Sequence, residues 1–414
     1  MPATDAIPEE FRYWQHLDSR PARLARAVGR RVLGFDPAPP DDRVRAFARS
    51  YYDGDPVAEA FVDEMRAGPG WGAARALVDR ALADGVDAVA DAPASLRRLF
   101  DDLEQAPPWL DRALVDRGAR AFRRFGPAVF RFAGTITLEA YAESSVAKPL
   151  ALTGAYAGSS TRHRFLETAA FWIAVSEPGG LDAGAPGRAA ALRVRLMHVF
   201  VRRRLLAHPE WDAAAWGVPI NQGDALLTLM GGSFAPGLAL RAMGYRPSRA
   251  DIEAMMHFWR YVGHLMGVRP SWYPTSLREA AQLSFVAALK GARRAGDDGV
   301  RLCQSYARAF APDPAAPRAR RWRDAIDHRV HLGYTRFFLS ARSYRHNRLP
   351  AAGPWALVPL LWFPPIFAAE TLRRWVPALD DVADRRARRA RDRWFARRMA
   401  GRRAGFEPVQ RFVR

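Results

Sequence analysis

Long stretches of this 414-residue chain, at 74–91, 111–125, 188–207, 250–266, 277–293 and 383–404, bring back apolar residues every three to four positions. Alternating β-branched runs are scarce. A period near 3.6 marks a helix and a period of two marks a strand, so little other than helix fits. Proline and glycine clusters fall between the periodic stretches: "GPGWG" at 68–72, "APPW" at 106–109, "EPGGLDAGAPG" at 177–187 and "APDPAAP" at 311–317. Such clusters end helices. The expectation is an all-α, multi-helix bundle without internal repeats. It divides into a polar helical region (1–110), a core (111–349) holding most aromatics and histidines, and a C-terminal part (350–414).

The hydrophobic fraction of 49% is ample for a folded core, and the formal charge of +20 points to anionic surroundings. The charge deserves a discount, because all basic residues except Lys148 and Lys290 are arginine in an alanine-rich chain. That pattern reads as coding bias as much as selection for charge, so no specific nucleic-acid partner is expected. Cys303 is the single cysteine, which excludes an intramolecular disulfide and a cysteine-rich metal site and fits a reducing compartment. The opening "MPATDAIPEEFRYWQH" lacks a basic region followed by an apolar stretch, so the expected location is cytoplasmic.

The segment "PAAGPWALVPLLWFPPIFAAE" (350–370) is uncharged until its last residue and about long enough to cross a bilayer. Its five prolines argue against a lipid-exposed spanning helix. A buried loop or a shallow hairpin touching the inner membrane face is expected instead. The arginine-dense helix after it, "DRRARRARDRWFARRMAGRR", could lie on anionic lipid or nucleic acid, and a solvated helix with internal Asp–Arg pairs is the plainer reading.

On a helix through 188–207, Ala191, Val194, His198, Val201 and Leu205 share one narrow face. His198 therefore points where core is expected, with Arg195 and Arg202 on the shoulder of the same face. A haem would satisfy all three. Imidazole ligates haem iron, Val194 and Val201 would face the porphyrin, and Arg195 and Arg202 would bind the propionates. A core histidine bonded to a carboxylate satisfies the same spacing, and the pattern alone does not separate the two.

Other constellations admit similar pairs of readings. His257 and His264, with Arg260 and Tyr261 between them, could line a pocket or offer another ligand. Asn221, Gln222 and Asp224 read as a helix cap, or as groups orienting a histidine. His328 and His331 form a short pair in a polar stretch. The Glu-x-x-His, His-Glu-x-x-His, phosphate-loop and Cys-x-x-Cys-His motifs are all absent, so any haem would be held noncovalently.

The ordered runs "TRHRFLETAAFWIAV" (161–175), "ALRVRLMHVFVRRRLL" (191–206), "WGVPINQGDALLTLMGGSF" (216–234) and "HFWRYVGHLMGV" (257–268) resemble the mpaB-type and rubber-oxygenase family, which includes the latex-clearing proteins. The resemblance covers about residues 110–350. It implies haem b in a globin-like helical core with extra helices, and use of O2 to oxidise or cleave C=C bonds of isoprenoids. It places His198 as the proximal iron ligand, and Arg164 and Thr168 in the distal motif. The rubber-cleaving motif reads Arg-x-x-Lys-Thr, whereas this chain reads "RFLET", so Glu167 stands where a lysine is expected. Glu167, Glu143 and Glu139 are candidate bases for an allylic proton. An apolar channel is expected from 171–172, 226–230 and 255–266.

The leading expectation is a haem-dependent oxygenase of dioxygenase type, acting on a small apolar isoprenoid, terpenoid or lipid. A non-catalytic haem-based gas-binding or sensor protein is the alternative, and a basic scaffold without cofactor is a third. The oligomeric state is not legible.

Overall fold

The structure is a computed structural model that describes residues 6–154 and 160–399. Among the described residues every regular element is helical. The periodic stretches become the helices Arg112–Arg123, Pro186–Leu206, Arg249–Leu265, Leu277–Lys290 and Leu379–Met399. The stretch at 74–91 is cut short. Its helix, Gly70–Asp84, stops at Gly85, whose φ of +86° suits glycine and takes the backbone out of the helix.

The packing centre is the pair Arg112–Arg123 and Arg249–Leu265. A Cβ at Gly118 would stand 2.1 Å from the Ala254 carbonyl oxygen, so only glycine permits this approach. Ser248 and Asp251 close a capping box at the start of the second helix. Trp259 fills the space between them, with ring centroids 5.3 Å from Phe122 and 5.0 Å from Trp172. Leu226, Leu229, Met230, Met255 and Phe258 are buried in the same core. The residues expected to line a channel are thus packed against one another.

Ser160–Ser176 and Pro186–Leu206 form an antiparallel hairpin. Its closed end is tight: a Cβ at Gly187 would lie 2.5 Å from the Ala174 carbonyl oxygen. The N-terminal helix Pro56–Ala67 packs across Pro186–Leu206, which binds the polar first part of the chain to the core.

Two C-terminal expectations are corrected. The helix Leu379–Met399 is not solvated on all sides, and beside an internal Arg391–Asp392 pair at 3.4 Å its charges reach other parts of the chain. Arg388 and Arg391 donate to Glu177. Asp384 accepts from Arg123 at 2.9 Å, and Trp394 stacks on Phe130 at 5.0 Å. The apolar segment 350–370 is not a buried loop. It forms three helical pieces, Gly353–Leu357, Val358–Leu361 and Phe363–Trp375, each carrying a proline in its first turn, where the missing N–H costs nothing. Much of its apolar surface is exposed.

Candidate functional site

His198 stands on the Pro186–Leu206 helix at a seam in the apolar interior. Val194, one turn before it, belongs to the main core. Val201 and Leu205, after it, belong with Leu152 to a small separate cluster, against which Met197 and Ile220 pack. The ring is partly buried, and among the described residues no hydrogen-bond partner holds either nitrogen. Burial first, and then the Arg202 charge, push its pKa down to about 4. The imidazole is therefore neutral at pH 7, with a lone pair to offer.

The hairpin register shows what lies across from it. His198 is eleven residues beyond Gly187, and His163 is eleven residues before Ala174. With Gly187 packed on Ala174 and the helices antiparallel, equal counts reach equal height, about 16 Å from the closed end at 1.5 Å per residue. At that height, Arg164 Nη1 donates to Glu167 Oε2 at 2.8 Å, and His163 Nε2 lies 3.4 Å from Glu167 Oε1. Glu167 is buried and Thr168 is exposed, with the Thr168 hydroxyl donating to the Arg164 carbonyl at 3.2 Å. His163 and Arg164 thus stand at about the level of His198, while Glu167, seven residues before Ala174, stands about 6 Å nearer the closed end, level with Val194. His163 was missed in the sequence, although its spacing of four from Glu167 follows the helical pairing rule.

The two arginines beside His198 have other partners than those expected. Arg195, 1% exposed, donates through Nε and Nη2 to both oxygens of Asp55 at 2.6 and 2.8 Å, and through Nη1 to Asp102 at 2.8 Å. Arg202 donates to Glu59 at 3.0 Å and to the carbonyls of Pro219 and Ile220. The anions that these buried guanidiniums require come from the N-terminal helices, so propionates are not needed to explain them.

The remaining candidates resolve as follows. The Asn221 side chain accepts from the Asp224 N–H at 2.7 Å as a helix cap, and Gln222 bridges the Gly54 and Gly267 carbonyls. His257 Nε2 accepts from the Asp111 N–H at 3.1 Å. His264 is buried edge-on against Trp109 and stacked on Tyr261, with no partner for Nε2 among the described residues. Arg260 lies 4.0 Å over the Trp109 ring. His328 and His331 bond to the carbonyls of Ala307 and Tyr306. Glu139 accepts from the Ser340 N–H and the Ser343 hydroxyl, whose bonds outweigh burial and hold its pKa low. Glu143 faces a small cavity shared with Lys290, Tyr51 and Trp216.

At His198 the chain offers the kind of donor that a haem would require. Among the described residues no three histidine, cysteine or acidic side chains gather as a metal site. A porphyrin supplies four of its iron's ligands, so one neutral and otherwise unbonded imidazole is sufficient.

Comparison with known proteins places the chain in a family. Residues 131–404 match the family described as ER-bound oxygenase mpaB/B'/Rubber oxygenase, catalytic domain. A rubber oxygenase of Streptomyces sp. (strain K30) is 27% identical over 238 residues, covering 54% of each chain, so the chain spans about half the length of that curated relative. The solved structure of the latex clearing protein LCP in its closed state covers 81% of this chain and 88% of its own at a TM-score of 0.61 and 19% identity. That last likeness speaks to the fold alone. The family match takes in most of the helices just described, including both arms of the hairpin that carries His198, and the chain belongs to the mpaB/rubber oxygenase catalytic-domain family.

Proposed function

We propose that this chain is a haem b-dependent oxygenase that uses O2 to oxidise or cleave C=C bonds of an apolar isoprenoid, terpenoid or lipid. The observation that carries the reading is His198: a neutral imidazole, unbonded among the described residues, at a seam in the core and at about the level of His163 and Arg164. A haem iron held there would supply the dioxygen chemistry that side chains lack.

The chain's own residues have distinct parts. His198 gives the ring lone pair, and Val194 and Val201 flank it with apolar surface. Arg164 fixes Glu167 through Oε2. Glu167 Oε1, in the longer contact with His163 Nε2, is the atom placed to accept an allylic proton, which His163 can share. Its place within about a turn of the His198 level, between His163 and Arg164, favours Glu167 over Glu139, which is bonded to Ser340 and Ser343, and over Glu143, which lines a separate cavity. Thr168 holds the turn through the Arg164 carbonyl. A carboxylate at position 167 cannot do what a lysine does there, so the substrate favoured is a small terpenoid or lipid rather than polyisoprene.

The test is the absorption spectrum of protein purified from haem-supplied cells. A Soret band should be present, be lost in His198→Ala, and persist in His257→Ala and His264→Ala. Glu167→Gln should keep the band and lose turnover, read as 18O from labelled O2 entering an isoprenoid product. A Soret band unchanged in His198→Ala removes the ligand assignment. A band without turnover on any isoprenoid leaves a gas-binding protein.

A further inference from the structure

The segment 353–375 displays its apolar side chains instead of burying them. Leu361 is 72% and Trp375 78% exposed, and Leu357, Trp362, Phe363 and Leu372 are exposed alongside. Soluble monomers rarely leave so continuous an apolar surface bare. The opposite side is fastened to the body. Gly353–Leu357 and Val358–Leu361 pack on the helix Arg318–Phe338, and Phe363–Trp375 packs on the turn Leu240–Met243 and on Leu379–Met399. Arg246 donates through its side chain to Thr371 Oγ1 at 2.6 Å and through its backbone N–H to the buried Glu370 at 3.4 Å. A segment held along one side by the protein cannot cross a bilayer without tearing those contacts. It can lie flat on one.

The rim of the face identifies its occupant. Arg246 sits 4.6 Å over the Phe367 ring and Arg329 5.9 Å over the Trp355 ring. Arg241, Arg336 and Arg374 are exposed on the same elements or on those packed beside them. An apolar face with tryptophans at its middle and end, bordered by arginines, matches the boundary between headgroups and acyl chains of an anionic bilayer. A second copy fits poorly, because it would bring two cationic rims of a +20 chain together.

We infer that the exposed face of 353–375 docks in the plane of an anionic lipid surface, as a peripheral anchor that does not span. The inference stands on this face alone and does not depend on haem at His198.

Flotation of the full chain with phosphatidylcholine vesicles, with and without phosphatidylglycerol, tests it. Wild type should float with the anionic vesicles, shift its tryptophan emission to the blue, and be released by carbonate wash. The pair Leu361→Glu with Trp375→Glu should cut partitioning by about tenfold or more while leaving the thermal midpoint in place. Leu24→Glu with Val28→Glu should leave partitioning intact; these residues lie on another exposed apolar stripe, along Arg20–Val32. Undiminished binding of the Leu361/Trp375 variant overturns the inference, as does loss of binding only in the Leu24/Val28 variant. Resistance to carbonate would mean a spanning segment, and a dimer in lipid-free buffer that this same variant dissolves would mean the occupant is a second copy. Either result also overturns it.

Discussion

Among the described residues two helical stretches, Gln222–Met243 and Gly353–Trp375, are long and apolar enough by composition to cross a membrane. Their fates differ. In the most apolar window of the first, 56% of residues are buried inside the protein, against 11% in the second. The first is drawn in by specific partners. Asn221 caps it, Gln222 ties its start to the Gly54 and Gly267 carbonyls, and Gly232 and Gly237 let Trp259 and Ile252 approach closely. The second has prolines that permit helical pieces without such anchoring, and bulky aromatics where the first has glycines. Hydropathy says how much a stretch gains by leaving water. Small residues and caps decide whether the protein itself can receive it.

The contrast can be broken most forcefully at Leu226, fully buried in the first stretch. Leu226→Ala should cost about 2–5 kcal/mol, read as a lower urea midpoint with the slope unchanged. A cost below about 1 kcal/mol would show the site to be loosely packed.

Acid should act on the buried side next. Burial leads in lowering the pKa of His198 and of His264 to about 4 and of His331 to about 3, with Arg202, Arg269 and Arg131 respectively adding to it. The unfolded chain takes up these protons near pH 6.5, whereas the folded chain resists until about pH 4. Stability therefore declines as pH falls from about 6.5 to 4, at up to about 1.4 kcal/mol per unit for each ring. Urea midpoints at pH 7.5 and pH 5 measure the loss, and His264→Gln should reduce it. No histidine lies within 353–375, so changing that face should leave the pH slope alone. A midpoint that rises in acid would reverse the assignment of neutral rings.

The smallest effect belongs to the exposed face. Leu361→Ser should move stability by no more than about 0.5 kcal/mol, because its side chain is already in water. A loss comparable to that of Leu226→Ala would mean that the face is covered in solution, and the distinction between the two stretches would disappear.

Most helices could be read from periodicity, since each follows from residues three and four apart. The stripe holding Val194, His198 and Val201 was readable for the same reason. Long-range pairing was not. Arg195 finds Asp55 from 140 positions away and Asp102 from 93, and Arg391 finds Glu177 from 214. No local pattern signals such partners. The seam around His198 was equally hidden, because Leu152 and Ile220 come from separate segments to build its second wall. Composition announced an apolar stretch at 350–370, but exposure depends on what neighbouring helices can accept.

The clasp of Arg195 by Asp55 and Asp102 has a practical corollary. A fragment trimmed to residues 131–404, the span of the family match, would discard both carboxylates and Glu59 as well. It would leave two guanidiniums stranded in the interior, at a penalty of about 3–5 kcal/mol for each uncompensated charge. The residues before 131 are thus no dispensable preface: they carry the counterions that let the histidine-bearing helix exist where it does.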